Sequence, residues 1–199
     1  SMTVSIFDLF SIGIGPSSSH TVGPMVAAKQ FAEQRYQRYG AVIAKVSVEL
    51  YGSLALTGVG HGTDKAIING LMGEDPQTIN PEQAEPNMQA VKQQKQLHFV
   101  RQMTIDFDYQ SDFLFHQREF LSKHSNGMRF SIFDKHQQLL DSQIYYSIGG
   151  GFVVTDEEYG HDHTTRPAEL PYGFSSAKEL LDLCAENQLT IAEIMLENE

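Results

Sequence analysis

The chain has 199 residues, 41% hydrophobic and 20% charged, a globular balance rather than a disordered one. Its formal net charge of −11, with 14 basic residues scattered along the chain, argues against a nucleic-acid partner, which needs clustered Lys and Arg. No apolar run approaches the roughly 18 residues that span a bilayer, and "SMTVSIFDLF" lacks the basic and apolar regions of a secretory signal, so no membrane role is expected and a cytoplasmic location is. The single cysteine, Cys184, can form no intramolecular disulfide, and one thiol cannot hold a metal alone, so no metal site is expected in this chain.

In chain order, residues 13–25 come first, "GIGPSSSHTVGPM", a loop of glycines and hydroxyls ahead of a helix. The stretch "TVGPMVAAKQFAEQRYQRYG" predicts about five helical turns. Thr21 or His20 is the cap, Pro24 lies in the first turn and Gly40 is the stop. Met25, Ala28, Phe31, Ala32 and Tyr36 fall on one face. "KVSVELYGS" alternates as a strand that turns Val46, Val48 and Leu50 to a core. "LTGVGHGTDKAIINGLMGED" reads as a glycine-punctuated loop leading into a helix that begins near Thr63 or Asp64. A polar helix, "PEQAEPNMQAVKQQKQ", starts after Asn80.

From about 98 the period changes to two: Phe99, Met103, Ile105, Phe107 and Tyr109 share one parity, a strand. "GMRFSIFDKHQQLLDSQIYYSIGGGFVV" adds two strands around a turn near 135–138. Asn126-Gly127 is a strong hairpin signal, and the glycines of "YSIGGGF" fit a bulge or hinge. The order predicts an α+β fold, an antiparallel-rich sheet with helices on one face. Residues 155–173 have linker composition. Capping boxes at Ser176…Glu179 and Thr190…Glu193 then open two helices that cannot bury their apolar faces alone. The expected division is a domain over 1–153, a linker over 154–174 and, over 175–199, the start of a helical domain that continues beyond the chain.

Two segments carry chemistry. Helix-start amides and the hydroxyls of Ser17, Ser18, Ser19 and Thr21 suit a carboxylate or phosphate, with His20 as an adjustable proton carrier. A capping turn fits the same residues equally well. In "GVGHGTDKA" the glycines leave His61 unshielded, able to serve as a general base, with Thr63 and Asp64 placed to cap the next helix or to bind an ammonium. A surface turn with Asp64 as its cap is the plainer account. "HDH" at 161–163 is a weak metal candidate, and His98, His116, His124 and His136 point to nothing specific.

Taken together, "SIFDLFSIGIGPSSSHTVGPM", "YGSLALTGVGHGTDKAIINGL", "NGMRF" and "YYSIGGGF" resemble, in the same order, the N-terminal β domain of bacterial iron–sulfur-dependent L-serine dehydratases of the single-chain type. The resemblance covers most of residues 3–153. It departs at Gly62, where many members carry a second histidine, and at Ser125, where they carry proline or an acid. It implies β-elimination of L-serine to pyruvate and ammonia, with a [4Fe-4S] cluster as Lewis acid whose cysteine ligands lie in the protein's own α domain. His61 is then the base and His20 a second catalytic residue. Ser17, Ser18, Ser19 and Thr21 hold the carboxylate, Thr63 or Asp64 stands near the ammonium, and Asn126 joins the substrate-binding set. A homodimer is expected, and a fragment that is catalytically silent alone. The alternative is a regulatory serine-binding module similar to the intervening domain of some D-3-phosphoglycerate dehydrogenases. A Ser17/His20 hydrolase is weaker, since no G-x-S-x-G elbow is present.

Overall fold

The computed structural model describes residues 18–58 and 60–160. The helix predicted first is α1 (Val22–Tyr39), preceded by Thr21 and ended by Gly40 at φ 54° and ψ −134°, a conformation that glycine adopts without strain. Thr21 holds the cap position, yet its side chain makes no capping bond. A 3-10 turn (Gly40–Val42) leads into β1 (Lys45–Tyr51), then α2 (Gly52–Gly58), α3 (Thr63–Leu71) and α4 (Pro81–Gln94). The helix α4 begins where its sequence predicts, because the Asn80 side chain accepts the Glu82 N–H at 3.0 Å. The rest is β2 (Gln96–Phe99), β3 (Met103–Asp106), α5 (Tyr109–Asp112), β4 (Phe113–His116), β5 (Gly127–Phe133), β6 (Leu139–Gly149), β7 (Phe152–Thr155) and α6 (Asp156–Gly160).

Five strands form one sheet in the order β4-β1-β5-β6-β7, and β2 pairs with β3 in a separate ribbon. Within the large sheet only β1 and β4 run parallel. This is the α+β class expected. The register Val46↔Ile132, Val48↔Phe130 and Leu50↔Met128 lines one face with buried apolar side chains. Each contributes about 1.5–3 kcal/mol by leaving water. Across that face runs α1, with the Phe31 ring 5.4 Å from Phe130 and Arg35 Nε 2.8 Å from Asp141 Oδ2. Alternation sends the next residues of β1 and β5 to the opposite face, which is polar: Glu49 accepts from Arg129 Nε at 2.9 Å and meets His116 Nε2 at 3.0 Å. Burial alone would raise the Glu49 pKa; the hydrogen bonds from Arg129 and His116 outweigh it and hold it below the ordinary value. The helices therefore keep to one face, apart from α6, whose Asp156 accepts a 2.8 Å bond from Tyr146 on the polar side.

Three expectations change. The segment read as loop from Leu56 begins inside α2. The single strand predicted over 98–110 is the β2–β3 hairpin followed by α5. Its parity survives, since Phe99, Ile105 and Phe107 are buried, but the chain reverses at Val100 and Arg101, with φ 46° and 59°. Neither residue type signals such a turn. Tertiary contacts hold it: the Val100 N–H donates to Leu71 O at 2.9 Å, and Arg101 pairs with Glu74. Finally, Asn126-Gly127 makes no hairpin, because 117–126 is not a strand. Gly127 instead packs against the tip of a side chain: a Cβ would lie 2.6 Å from Leu121 Cδ1. The turn after Phe133 and the bulge near Gly149 fall where predicted. Of the linker over 154–174, residues 156–160 are helical. Its first two residues, 154–155, end β7, while 161–174, both capping boxes, Cys184 and the 161–163 histidines lie outside the described residues.

Candidate functional site

Three helix starts meet where β1 ends, those of α1, α2 and α3. The α1 start brings Ser18, Ser19, His20 and Thr21. At the α2 start Gly52 takes φ 54° and packs so closely on the Ser125 carbonyl and Phe120 that no side chain fits, which delivers Ser53 to the site. The α3 start is capped by Gly62 in the left-handed conformation, φ 86°, and not by Asp64.

His20 ties the first two together. Its Nδ1 lies 2.9 Å from Ser19 Oγ and its Nε2 3.0 Å from Ser53 Oγ. Burial lowers the His20 pKa, and the neighbouring His61 lowers it further, so the ring is neutral at neutral pH. Thr63, fully buried, donates its hydroxyl to His20 O at 2.5 Å, which locks the α3 start to the α1 start. His61 stands exposed on the loop that leads from α2 into α3. Asp64 is 7% exposed; its Oδ1 accepts the Lys65 N–H at 2.8 Å and its Oδ2 the Tyr109 hydroxyl at 2.6 Å.

The same end of the sheet holds Asn126. Its Nδ2 donates to Ser147 O at 3.1 Å, the Ser147 N–H returns a bond to Asn126 O at 3.0 Å, and Ser53 N donates to Ser125 O at 2.9 Å. The buried Ser147 Oγ and Asn126 Oδ1 have no hydrogen-bond partner among the described residues. Gly23 abuts Ser147, so these atoms lie beside the α1 start. The structure thus gathers His20, Ser18, Ser19, Thr21, His61, Thr63, Asp64 and Asn126 at one end; Ser17 lies outside the described residues. Sequence reasoning missed Ser53, Ser147 and Tyr109. The available signal for Ser53 was its glycine neighbour, Gly52, while Ser147 and Tyr109 sit in strand-like runs that advertise only packing.

At α1 the amides are less available than a bare helix start provides. Gly23 N–H is spent on Ser18 O at 2.8 Å, and Pro24 has none. Hydroxyls therefore carry more of any anion contact. A cleft of about 610 Å³ lies at the opposite end of β1, lined by Lys45, Asp106, Asp112 and Lys135 among others, and includes none of the candidate residues. Among the described residues no group of three or more His, Cys, Asp or Glu could hold a metal, and none is a cysteine. No helix among them is long and apolar enough to cross a membrane.

The three helix starts thus bring hydroxyls, two imidazoles and a buried carboxylate to one end of an α+β domain. The chain belongs to the serine dehydratase beta chain family, whose sequence profile matches residues 5–158. It is 44% identical over 200 residues to an L-serine dehydratase of Streptomyces coelicolor, covering 100% of this chain and 44% of that protein. It is 44% identical over 199 residues to the L-serine dehydratase TdcG of Escherichia coli strain K12, and 41% over 198 to an L-serine dehydratase of Haemophilus influenzae. Both alignments cover 98% of this chain and 43% of the relative. The chain therefore spans less than half the length of these relatives.

Proposed function

We propose that this domain supplies the proton-abstracting and substrate-orienting half of an L-serine ammonia-lyase. The observation that carries the reading is the convergence of three helix starts on His20, with His61 exposed beside a buried carboxylate. Resemblance to L-serine dehydratases names the substrate.

In this reading the carboxylate of L-serine is held by the hydroxyls of Ser17, Ser18, Ser19 and Ser53. The buried Thr21 supports their loop, and Asn126 contacts the substrate from the facing loop. The ammonium lies against Asp64, and the α-proton points to His61. His61 takes that proton; the electron pair forms the Cα–Cβ double bond as the Cβ–O bond breaks. The departing hydroxide takes a proton back from the His61 imidazolium and leaves as water, and the enamine tautomerises to an imine that water hydrolyses to pyruvate and ammonia. With both ring nitrogens engaged, His20 orients Ser19 and Ser53. Thr63 keeps the two helix starts in register.

A [4Fe-4S] cluster, when bound, supplies Lewis acidity toward the leaving hydroxyl. The described residues do not fit such a group, having no thiolate and no ligand cluster, and no step above runs through it; this reading assigns its ligands to the protein's α domain. A cytoplasmic homodimer completes the proposal.

The test is His61→Ala in the full-length enzyme. A fall in kcat of about 10²-fold or more is expected from loss of a general base. Near-normal turnover would refute the assignment.

A further inference from the structure

Asp64 is a buried carboxylate without a cation. No Lys, Arg or His ion pair reaches it among the described residues, and the adjacent Lys65 turns its ammonium toward Glu85 at 3.8 Å. Burying an anion with so little compensation is costly, and such groups persist where something else balances the charge. Its one side-chain partner among the described residues is the Tyr109 hydroxyl at 2.6 Å, a contact that crosses 45 residues of chain. Tyr109 is itself clamped. Its ring stacks on Phe113 with centroids 5.5 Å apart, and the Lys92 ammonium stands 4.2 Å from the ring centroid. Asp108 fixes the turn beneath it by accepting the Gln110 N–H at 3.1 Å.

We propose that Tyr109 is a positioning residue: its hydroxyl aims the Asp64 carboxylate so that the remaining lone pairs receive the ammonium group of the bound amino acid. This rests on the reading above that places the ammonium at Asp64. Burial and the Asp64 charge push the Tyr109 pKa up, so the hydroxyl is a donor throughout the working pH range. Without it, Asp64 keeps only its local backbone bond among the described residues, and the carboxylate can rotate away from the ligand. The loss then falls on recognition of the amino group and not on the carboxylate or hydroxyl of the substrate.

The full-length enzyme carrying Tyr109→Phe tests this with two ligands, L-serine as substrate and 3-hydroxypropionate, its des-amino counterpart, as competitive inhibitor. The KM for L-serine is expected to rise about tenfold, the size of a lost hydrogen bond to a charged group, while the inhibition constant of 3-hydroxypropionate stays within about twofold. A parallel shift in both ligands means general loosening and overturns the proposal, as does no shift in either. Asp64→Asn separates the two levels. If Asp64→Asn raises KM and Tyr109→Phe does not, the Tyr109 role alone falls. If neither raises it, the placement of the ammonium falls and takes Tyr109 with it. In the Asp64→Asn background, Tyr109→Phe is expected to add less than about twofold, because both changes remove one interaction.

Discussion

Gly70 lies in the third turn of α3, where the helix passes closest to α1, and alanine there sets two known effects against each other. Helix propensity favours the change by about 1 kcal/mol, since glycine is the poorer helix former. Packing opposes it. A Cβ built at Gly70 lies 2.5 Å from Met25 O, 2.8 Å from Ala28 Cβ and 3.2 Å from Lys29 N. The carbon contact is about 1 Å short of the roughly 3.5–4.0 Å optimum, and the obstacles are α1 backbone and a methyl, not the movable end of a long side chain. Relief requires the two helices to separate by about 1 Å, which opens the contacts of Phe31, Ile67 and Leu71, all 0% exposed. Overpacking of this kind costs about 1–3 kcal/mol and more where backbone must move. Packing at the upper end of that range, about 3 kcal/mol, outweighs propensity and leaves a net loss of about 2 kcal/mol. For a chain of this size that lowers Tm by about 4–8 °C. Gly40→Ala is the control: nothing lies within 4 Å of its Cβ, so only its backbone, at φ 54° and ψ −134°, is strained, at about 1–3 kcal/mol. Urea titration and thermal melts followed by circular dichroism measure both. A Gly70→Ala protein as stable as its parent, or more so, would show that the helices have slack and that this close approach is not part of what holds the site.

Acid should weaken the fold over the histidine range. Burial lowers the pKa of His124, and burial with the His61 charge lowers that of His20, from an ordinary 6.5. A depressed folded-state pKa means that the unfolded chain binds more protons, so this stability is present above about 6.5 and is lost as pH falls from there through the folded values. Urea midpoints at pH 7.5, 6.5 and 5.5 should decline in that order, and a flat series contradicts the burial of these rings. On the polar sheet face, Arg129→Met removes the strongest partner of Glu49, whose side chain is 20% exposed against 36% for Arg129. The expected loss at pH 7 is about 1 kcal/mol, the lower side for a charged hydrogen bond because water screens the pair. Since Glu49 is held below its ordinary 4.5, that difference should shrink as pH falls through this value; a pH-independent difference would show that Arg129 acts through packing alone.

The elements that could be read along the chain are those whose cause is local. The periodic face of α1, the alternation of β1, the Asn80 cap and the stop at Gly40 each need only neighbours a few residues away, and each falls within a residue or two of its expected place. The clustering of hydroxyls before α1 and the glycine-flanked His61 were equally visible, because unusual local composition is itself the signal. The Val100–Arg101 reversal was not, since its left-handed residues are held by α3 and Glu74, partners about 30 residues away. Nor was the setting of Gly127, which looks like a hairpin glycine and instead packs against the Leu121 side chain.

For the candidate site the division is sharper. Residue types and short spacings identify which side chains have suitable chemistry: serines, an imidazole, a carboxylate at a helix start. They do not say which of them meet. Ser53 reaches His20 across 33 residues, Thr63 across 43, and Tyr109 reaches Asp64 across 45. Those distances close only when β1, α2 and α3 have packed, because hydrogen bonds and desolvation act over a few ångströms of space whatever the separation along the chain. Chemistry is therefore written residue by residue, while pairing, burial and the resulting protonation states are properties of the assembled fold.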